Sequence, residues 1–86
     1  MLNIVYSKWA ENFLKKLEKY ISLRILERIN KLKDDPVPSD ARFIGRDKGE
    51  KLYRYRIGDY RALYKLKELQ GIILIIKIDK RSKIYD

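Results

Sequence analysis

The stretch Lys51–Lys67, KLYRYRIGDYRALYKLK, alternates tyrosine with arginine, is interrupted at Gly58-Asp59, and then alternates again. Side chains of a strand point to opposite faces with period two, so the stretch reads as two strands. Gly-Asp between them is a two-residue hairpin turn, with glycine supplying the positive φ the turn demands. The turn fixes the register. Ile57 pairs with Tyr60, Arg56 lies opposite Arg61, Tyr55 faces Ala62, Arg54 faces Leu63, and Tyr53 faces Tyr64.

Two unlike faces follow. Tyr53, Tyr55, Ile57, Tyr60, Ala62, Tyr64 and Leu66 share one; Leu52, Arg54, Arg56, Arg61, Leu63 and Lys65 share the other. The aromatic face is most simply core, with a stacking platform for bases as the alternative. On the cationic face, directly opposed arginines have Cβ atoms only about 4.5–5.5 Å apart, and like charges so placed are destabilising. They either splay into water or grip an anion, and the planar fork of arginine suits phosphate oxygens.

The rest of the chain supplies what covers the aromatic face. Residues 2–6, LNIVY, read as a short strand, and Ser7 suits a helix N-cap. Phe13, Leu14, Leu17, Tyr20 and Ile21 recur at helical spacing. Ser22 is placed to cap a second helix with Ile25, Leu26, Ile29 and Leu32 as its stripe, so the helices join near Tyr20–Ser22. Pro36 and Pro38 end it. Residues 42–51, RFIGRDKGEK, with two glycines, read as a mobile basic loop. IILIIKI at 72–78 reads as a central strand buried on both faces. The expected order is β-α-α-β-β-β: an α+β fold with a helical hairpin packed on a small, largely antiparallel sheet.

At 86 residues the chain is expected to be one domain, residues 1–86. It has no cysteine and no histidine, which excludes disulfides, thiolate metal sites and the usual acid–base group near neutrality. No cofactor or metal is expected. Of the net charge of +9, residues 42–86 carry +7, which points that half towards a polyanion, nucleic acid before membrane. With no apolar stretch of 18 residues and no secretion signal, a cytoplasmic protein without a membrane partner is expected.

In-line RNA cleavage needs a base for the 2′-hydroxyl, charge stabilisation at the phosphorane and an acid for the leaving oxygen. Arginines supply the second, but they stay protonated and make poor bases. Crowded cations depress the pKa of a lysine or tyrosine, so Lys48, Lys51 or Tyr85 could assist. Composition alone leaves catalysis undecided.

The segment YRYRIGDYRALYKL resembles the central hairpin of the RelE/ParE toxin superfamily, which commonly reads like YRLRIGDYRVIY. IDKRSKIY resembles the family's closing segment, in which a basic residue precedes arginine, then two residues, an aliphatic residue and tyrosine. The element order also fits, so the resemblance spans nearly the whole chain. It implies the toxin of a type II toxin–antitoxin pair, and on the RelE branch a ribosome-dependent mRNA endonuclease cutting within the A-site codon. Arg61 would stabilise the scissile phosphate, Arg81 would stabilise the leaving group or act as its acid, and Tyr85 would orient the reacting nucleotide. Arg54 and Arg56 stand where well-known RelE enzymes carry lysines, with Arg56 grouped among the catalytic residues and Arg54 among the RNA contacts. Where the family has arginine before glycine this chain has Ile44, with Arg46 the nearest substitute. Lys48, Lys51 and Lys80 complete the RNA contacts. Implied partners are a RelB-like antitoxin, the 30S/70S ribosome and mRNA. The alternatives are a ParE-like inhibitor of DNA gyrase without nuclease activity, and a non-catalytic RNA- or ribosome-binding module.

Overall fold

A computed structural model describes residues 2–83 of the chain. Strand β1 (Asn3–Tyr6) leads into helices α1 (Lys8–Lys16) and α2 (Lys19–Asn30), and α2 tightens into a 3₁₀ turn at Lys31–Lys33. Strands β2 (Ala41–Asp47), β3 (Glu50–Ile57), β4 (Tyr60–Lys67) and β5 (Ile72–Lys80) follow. They form one sheet in the order β1-β5-β4-β3-β2, with β1 parallel to β5 and every other pair antiparallel. Two helices on a five-stranded mixed sheet make the fold α+β.

The β3–β4 hairpin has the register its sequence dictates, from Ile57↔Tyr60 through Arg56↔Arg61 to Tyr53↔Tyr64. Its aromatic face is core. Tyr53, Tyr55, Ile57, Ala62, Tyr64 and Leu66 are buried with Ile73, Ile75 and Ile78 of β5 against Ala10, Ile25, Ile29 and Leu32. Tyr64 lies at the centre, fully buried, stacked on Tyr53 with ring centroids 5.3 Å apart and edge-on to Tyr55 at 6.3 Å. Its hydroxyl donates to the Pro36 carbonyl, so the proline segment that stops α2 also satisfies the one polar atom of the central ring. Burial pushes the Tyr64 phenol above its usual range, with the neighbouring Tyr53, Tyr55 and Asp35 adding to the effect.

Four expectations are corrected. The basic loop of residues 42–51 is instead strand β2, a turn at Lys48-Gly49 and the start of β3, so the order is β-α-α-β-β-β-β. The two glycines that suggested a loop serve turn and bulge. Lys48 and Gly49 take φ of 52° and 83°, as a hairpin turn requires, and the register slips by one between Phe43 and Gly45. The helix break falls at Leu17–Glu18 rather than Tyr20–Ser22, because Leu17 adopts extended backbone and Glu18 takes the N-cap position. Ser22 lies inside α2, its hydroxyl donating to the Lys19 carbonyl at 3.0 Å. Tyr20 consequently faces water and is 61% exposed. Lastly, β5 is interior to the sheet but buried on one face only: Ile72, Leu74 and Ile76 are half-buried because the helices cover a single side. Ser7 does cap α1, accepting from the Ala10 amide at 3.1 Å and donating to the Ile76 carbonyl.

Candidate active site

The uncovered face of the sheet carries the arginines. Residues directly paired across an antiparallel sheet point to the same side, and three such pairs stack at one end of the strands. Arg42 of β2 faces Arg54 of β3, and Arg56 faces Arg61 of β4, which in turn faces Asp79 of β5. The Arg56 amide donates to the Asp40 carbonyl at 3.1 Å, which places Asp40 across from Arg56. A row Asp40–Arg56–Arg61–Asp79 therefore crosses four strand positions, with a carboxylate at either end of the arginine pair.

Together these residues wall a cleft of about 370 Å³, lined by Ser39, Asp40, Ala41, Arg42, Arg54, Arg56, Arg61 and Arg81. Arg81 reaches it because its amide donates to the Asp59 carbonyl at 2.9 Å, tying the end of β5 to the β3–β4 turn. Arg61 is the most enclosed, 6% exposed, with Nη1 donating to the carbonyls of Gly58 at 3.0 Å and Tyr60 at 2.9 Å. The turn thus fixes the direction of its guanidinium. Arg56 is exposed and Arg54 half-buried. A strap from α2 steadies the opposite wall. Arg28 Nη2 donates to Asp40 Oδ2 at 2.7 Å and to the Arg56 carbonyl at 3.2 Å, and its guanidinium lies 5.5 Å from the centre of the Tyr55 ring.

Two cations about 4 Å apart repel by about 1 kcal/mol in bulk water and about 4 kcal/mol in the environment of a protein surface. Five arginines on one cleft therefore carry a standing electrostatic cost, which the flanking carboxylates offset in part. A bound anion removes more of it, and phosphate oxygens match the guanidinium fork.

Of the residues expected from sequence, the cleft brings together Arg54, Arg56, Arg61 and Arg81. Tyr85 lies outside the described residues. The other basic candidates sit elsewhere. Arg46 pairs with Lys51 on the helix-side face, its Nη1 donating to the Gly49 carbonyl at 3.0 Å, and Lys51 approaches Glu68 at 3.8 Å. Lys48 occupies the β2–β3 turn, and Lys80 stands opposite Tyr60 rather than opposite an arginine. Sequence reasoning missed Arg42 and Asp40. Counting back from Lys48-Gly49 without a bulge would set Arg42 opposite Tyr55, on the core face; the extra residue between Phe43 and Gly45 moves it to the arginine face. Gly45 was the one available signal, since an isolated glycine in a strand often marks a bulge.

Beyond the arginines, the same face ends in ion pairs. Lys65, 9% exposed, donates to Asp47 Oδ2 at 2.8 Å and approaches Glu50 at 3.6 Å, while Lys67 approaches Glu50 at 3.9 Å. The hydrogen bond from Lys65 holds the Asp47 carboxyl below its usual range, and reciprocally keeps Lys65 protonated beyond the usual lysine range. Among the described residues no group of three histidine, cysteine, aspartate or glutamate side chains could hold a metal, and no helix is long and apolar enough to cross a membrane.

The fold has relatives. The chain superposes on the archaeal RelE–RelB complex from Pyrococcus horikoshii OT3 with a TM-score of 0.84 and 29% identity, covering 96% of this chain and 98% of that one. The RelBE2 toxin–antitoxin complex of Mycobacterium tuberculosis gives 0.76 and 22%, over 93% and 98%. The isolated RelE toxin of E. coli gives 0.76 and 13%, over 93% and 84%. No curated protein matches the sequence. The family model described as the ParE toxin of the type II toxin–antitoxin system, parDE, matches residues 4–85, which takes in both helices and all the cleft arginines. With residues 4–85 matched by that model and the fold shared with RelE toxins, the chain belongs to the ParE toxin family of type II toxin–antitoxin systems, within the RelE/ParE superfamily.

Proposed function

We propose that the chain is a ribosome-dependent mRNA endonuclease, and that the arginine cleft is where the scissile phosphate binds. The observation that carries this reading is the Arg56–Arg61 pair, held face to face beside Arg42, Arg54 and Arg81 on a sheet face the helices leave open. Such a cluster is costly in the free protein and favourable around a dianionic phosphorane, which is the differential interaction that speeds a reaction. The nucleophile is the substrate's own 2′-hydroxyl, so the reaction runs without a metal ion. Arg61, directed by the turn carbonyls, stabilises the equatorial oxygens, and Arg56 shares that charge. Arg81, tethered at the same end, stabilises the leaving 5′-oxygen. Arg42 and Arg54 bind the flanking phosphate. Tyr85 keeps its proposed role of orienting the reacting nucleotide.

A site this poor in acid–base groups gains most from alignment, which a ribosome-bound codon supplies. Naked RNA should therefore be cut poorly. Action at the ribosome places the protein in the cytoplasm, with a RelB-like antitoxin as its regulator, in line with the RelB-bound state of the Pyrococcus horikoshii protein. An acidic antitoxin segment laid over the cleft would match its charge.

A gyrase-inhibiting function is the second reading, favoured by the ParE description of the matching family. A supercoiling assay run beside a cleavage assay on programmed ribosomes separates the two. Cleaved mRNA with normal supercoiling supports the endonuclease; blocked supercoiling without RNA products supports gyrase.

A further inference from the structure

We infer that Asp40 is the proton acceptor for the attacking 2′-hydroxyl, an inference that rests on the endonuclease reading and deepens it. Attack by the 2′-hydroxyl needs a proton acceptor, and five of the described groups lining the cleft are guanidiniums that stay protonated. Ser39 and Ala41 have no basic side chain. Asp40 is the one carboxylate among the described lining residues.

Its position suits the task. Its backbone lies across from that of Arg56, one strand spacing of about 4.8 Å away. Its side chain is 53% exposed, with Oδ2 accepting from Arg28 at 2.7 Å. The charged groups around it are Arg28 from α2, Arg42 on its own chain segment, Arg54 and Arg56 from β3, and Arg61 from β4, with Arg81 beyond. Asp79, paired with Arg61 at the other end of the row, is not among the residues that line the cleft.

The step balances without a co-reactant. The 2′-hydroxyl proton passes to the Asp40 carboxylate as the 2′-oxygen bonds to phosphorus. The bond from phosphorus to the 5′-oxygen breaks, and that oxygen takes a proton from water. The products are a 2′,3′-cyclic phosphate and a 5′-hydroxyl, and Asp40 returns its proton to solvent.

The test is single-turnover cleavage of mRNA on programmed ribosomes by wild type, Asp40→Asn, Asp40→Ala and Arg28→Met, with ribosome binding measured alongside. Asp40→Asn should cleave about 10²-fold or more slowly, the usual worth of a general base, with ribosome binding unchanged. Arg28→Met breaks the same ion pair but keeps the carboxylate, and should slow cleavage less than Asp40→Asn does. Added formate should restore part of the Asp40→Ala rate, which a purely structural role for Asp40 would not allow. Wild-type cleavage with an unaffected Asp40→Asn would overturn the assignment alone. So would an Arg28→Met loss as large as that of Asp40→Asn with no formate rescue. An inactive wild type would instead remove the endonuclease reading, and this assignment with it.

Discussion

Arg56 and Arg61 occupy one cross-strand pair, and each has a different task in the free protein. Arg61 is enclosed and bonded to the turn, whereas Arg56 is exposed and contributes repulsion. Replacing Arg56 with Gln should therefore raise the thermal midpoint of the free protein, by an amount corresponding to about 0.2–1 kcal/mol. Phosphate or sulfate should raise the midpoint of wild type more than that of the variant, because an anion stabilises the state that binds it. A lower midpoint for Arg56→Gln would show that the pair is already neutralised by Asp40 and Asp79. At Arg61 the expectation reverses. Arg61→Ala loses two hydrogen bonds to carbonyls and a positioned cation, so the cleavage rate should fall about 10²–10³-fold. Ribosome affinity should fall much less. Equal losses in rate and affinity would mark a binding role only. Both residues were legible in the sequence, since a two-residue turn leaves no freedom in the register. Arg42 and Asp40 were not, since their side of the sheet depends on one bulge residue that period-two counting does not contain.

At the scale of elements, turn chemistry and ion pairs decide how firmly the cleft is framed. Gly58 takes φ of 58°, and an added Cβ there meets nothing within 4 Å. Gly58→Ala should thus cost only backbone strain, about 1–2 kcal/mol, measured as a shift in the denaturation midpoint. Its effect on cleavage should exceed that share, because the Gly58 carbonyl also directs Arg61. The β2–β3 hairpin instead relies on Asp47 and Lys65. Asp47 has a depressed folded pKa, so its contribution is present above the ordinary carboxylate pKa of about 3.9 and disappears as the pH falls through the folded value. Asp47→Asn should accordingly lower the thermal midpoint at pH 7, with the gap to wild type closing below pH about 4. A gap constant with pH would assign the effect to packing. This edge hairpin was hidden from sequence because β2 is exposed along most of its length, with no alternating pattern to betray a strand. The central hairpin was plain because one face is buried and the other charged. The helix break at Leu17 was misplaced by three residues because Ser22 offers a capping side chain that the chain uses inside the helix.

For the molecule as a whole, the aromatic core makes stability sensitive to alkali. The Tyr6 phenol is pushed from 10.0 up to about 12 by burial, and Tyr64 is raised for the same cause. Between pH 10 and about 12 the unfolded chain has lost protons that the folded chain keeps, so stability falls as pH rises through that window. Tyr6→Phe should shallow the fall in thermal midpoint over this range, and an unchanged slope would exclude the phenol as its source. The sheet has two faces with separate duties: helices, tyrosines and isoleucines hold the fold, while the open side carries the five cleft arginines. That division explains how a basic half of the chain coexists with a closed core.

The central claim is that this open face cuts mRNA on the ribosome, and primer extension tests it most directly. Purified protein is added to programmed ribosomes and, in parallel, to the same mRNA without ribosomes, with an Arg61→Ala, Arg81→Ala double variant as control. New 5′ ends within the A-site codon, present only with ribosomes and absent with the variant, are the predicted result. Intact mRNA in both reactions would contradict the account.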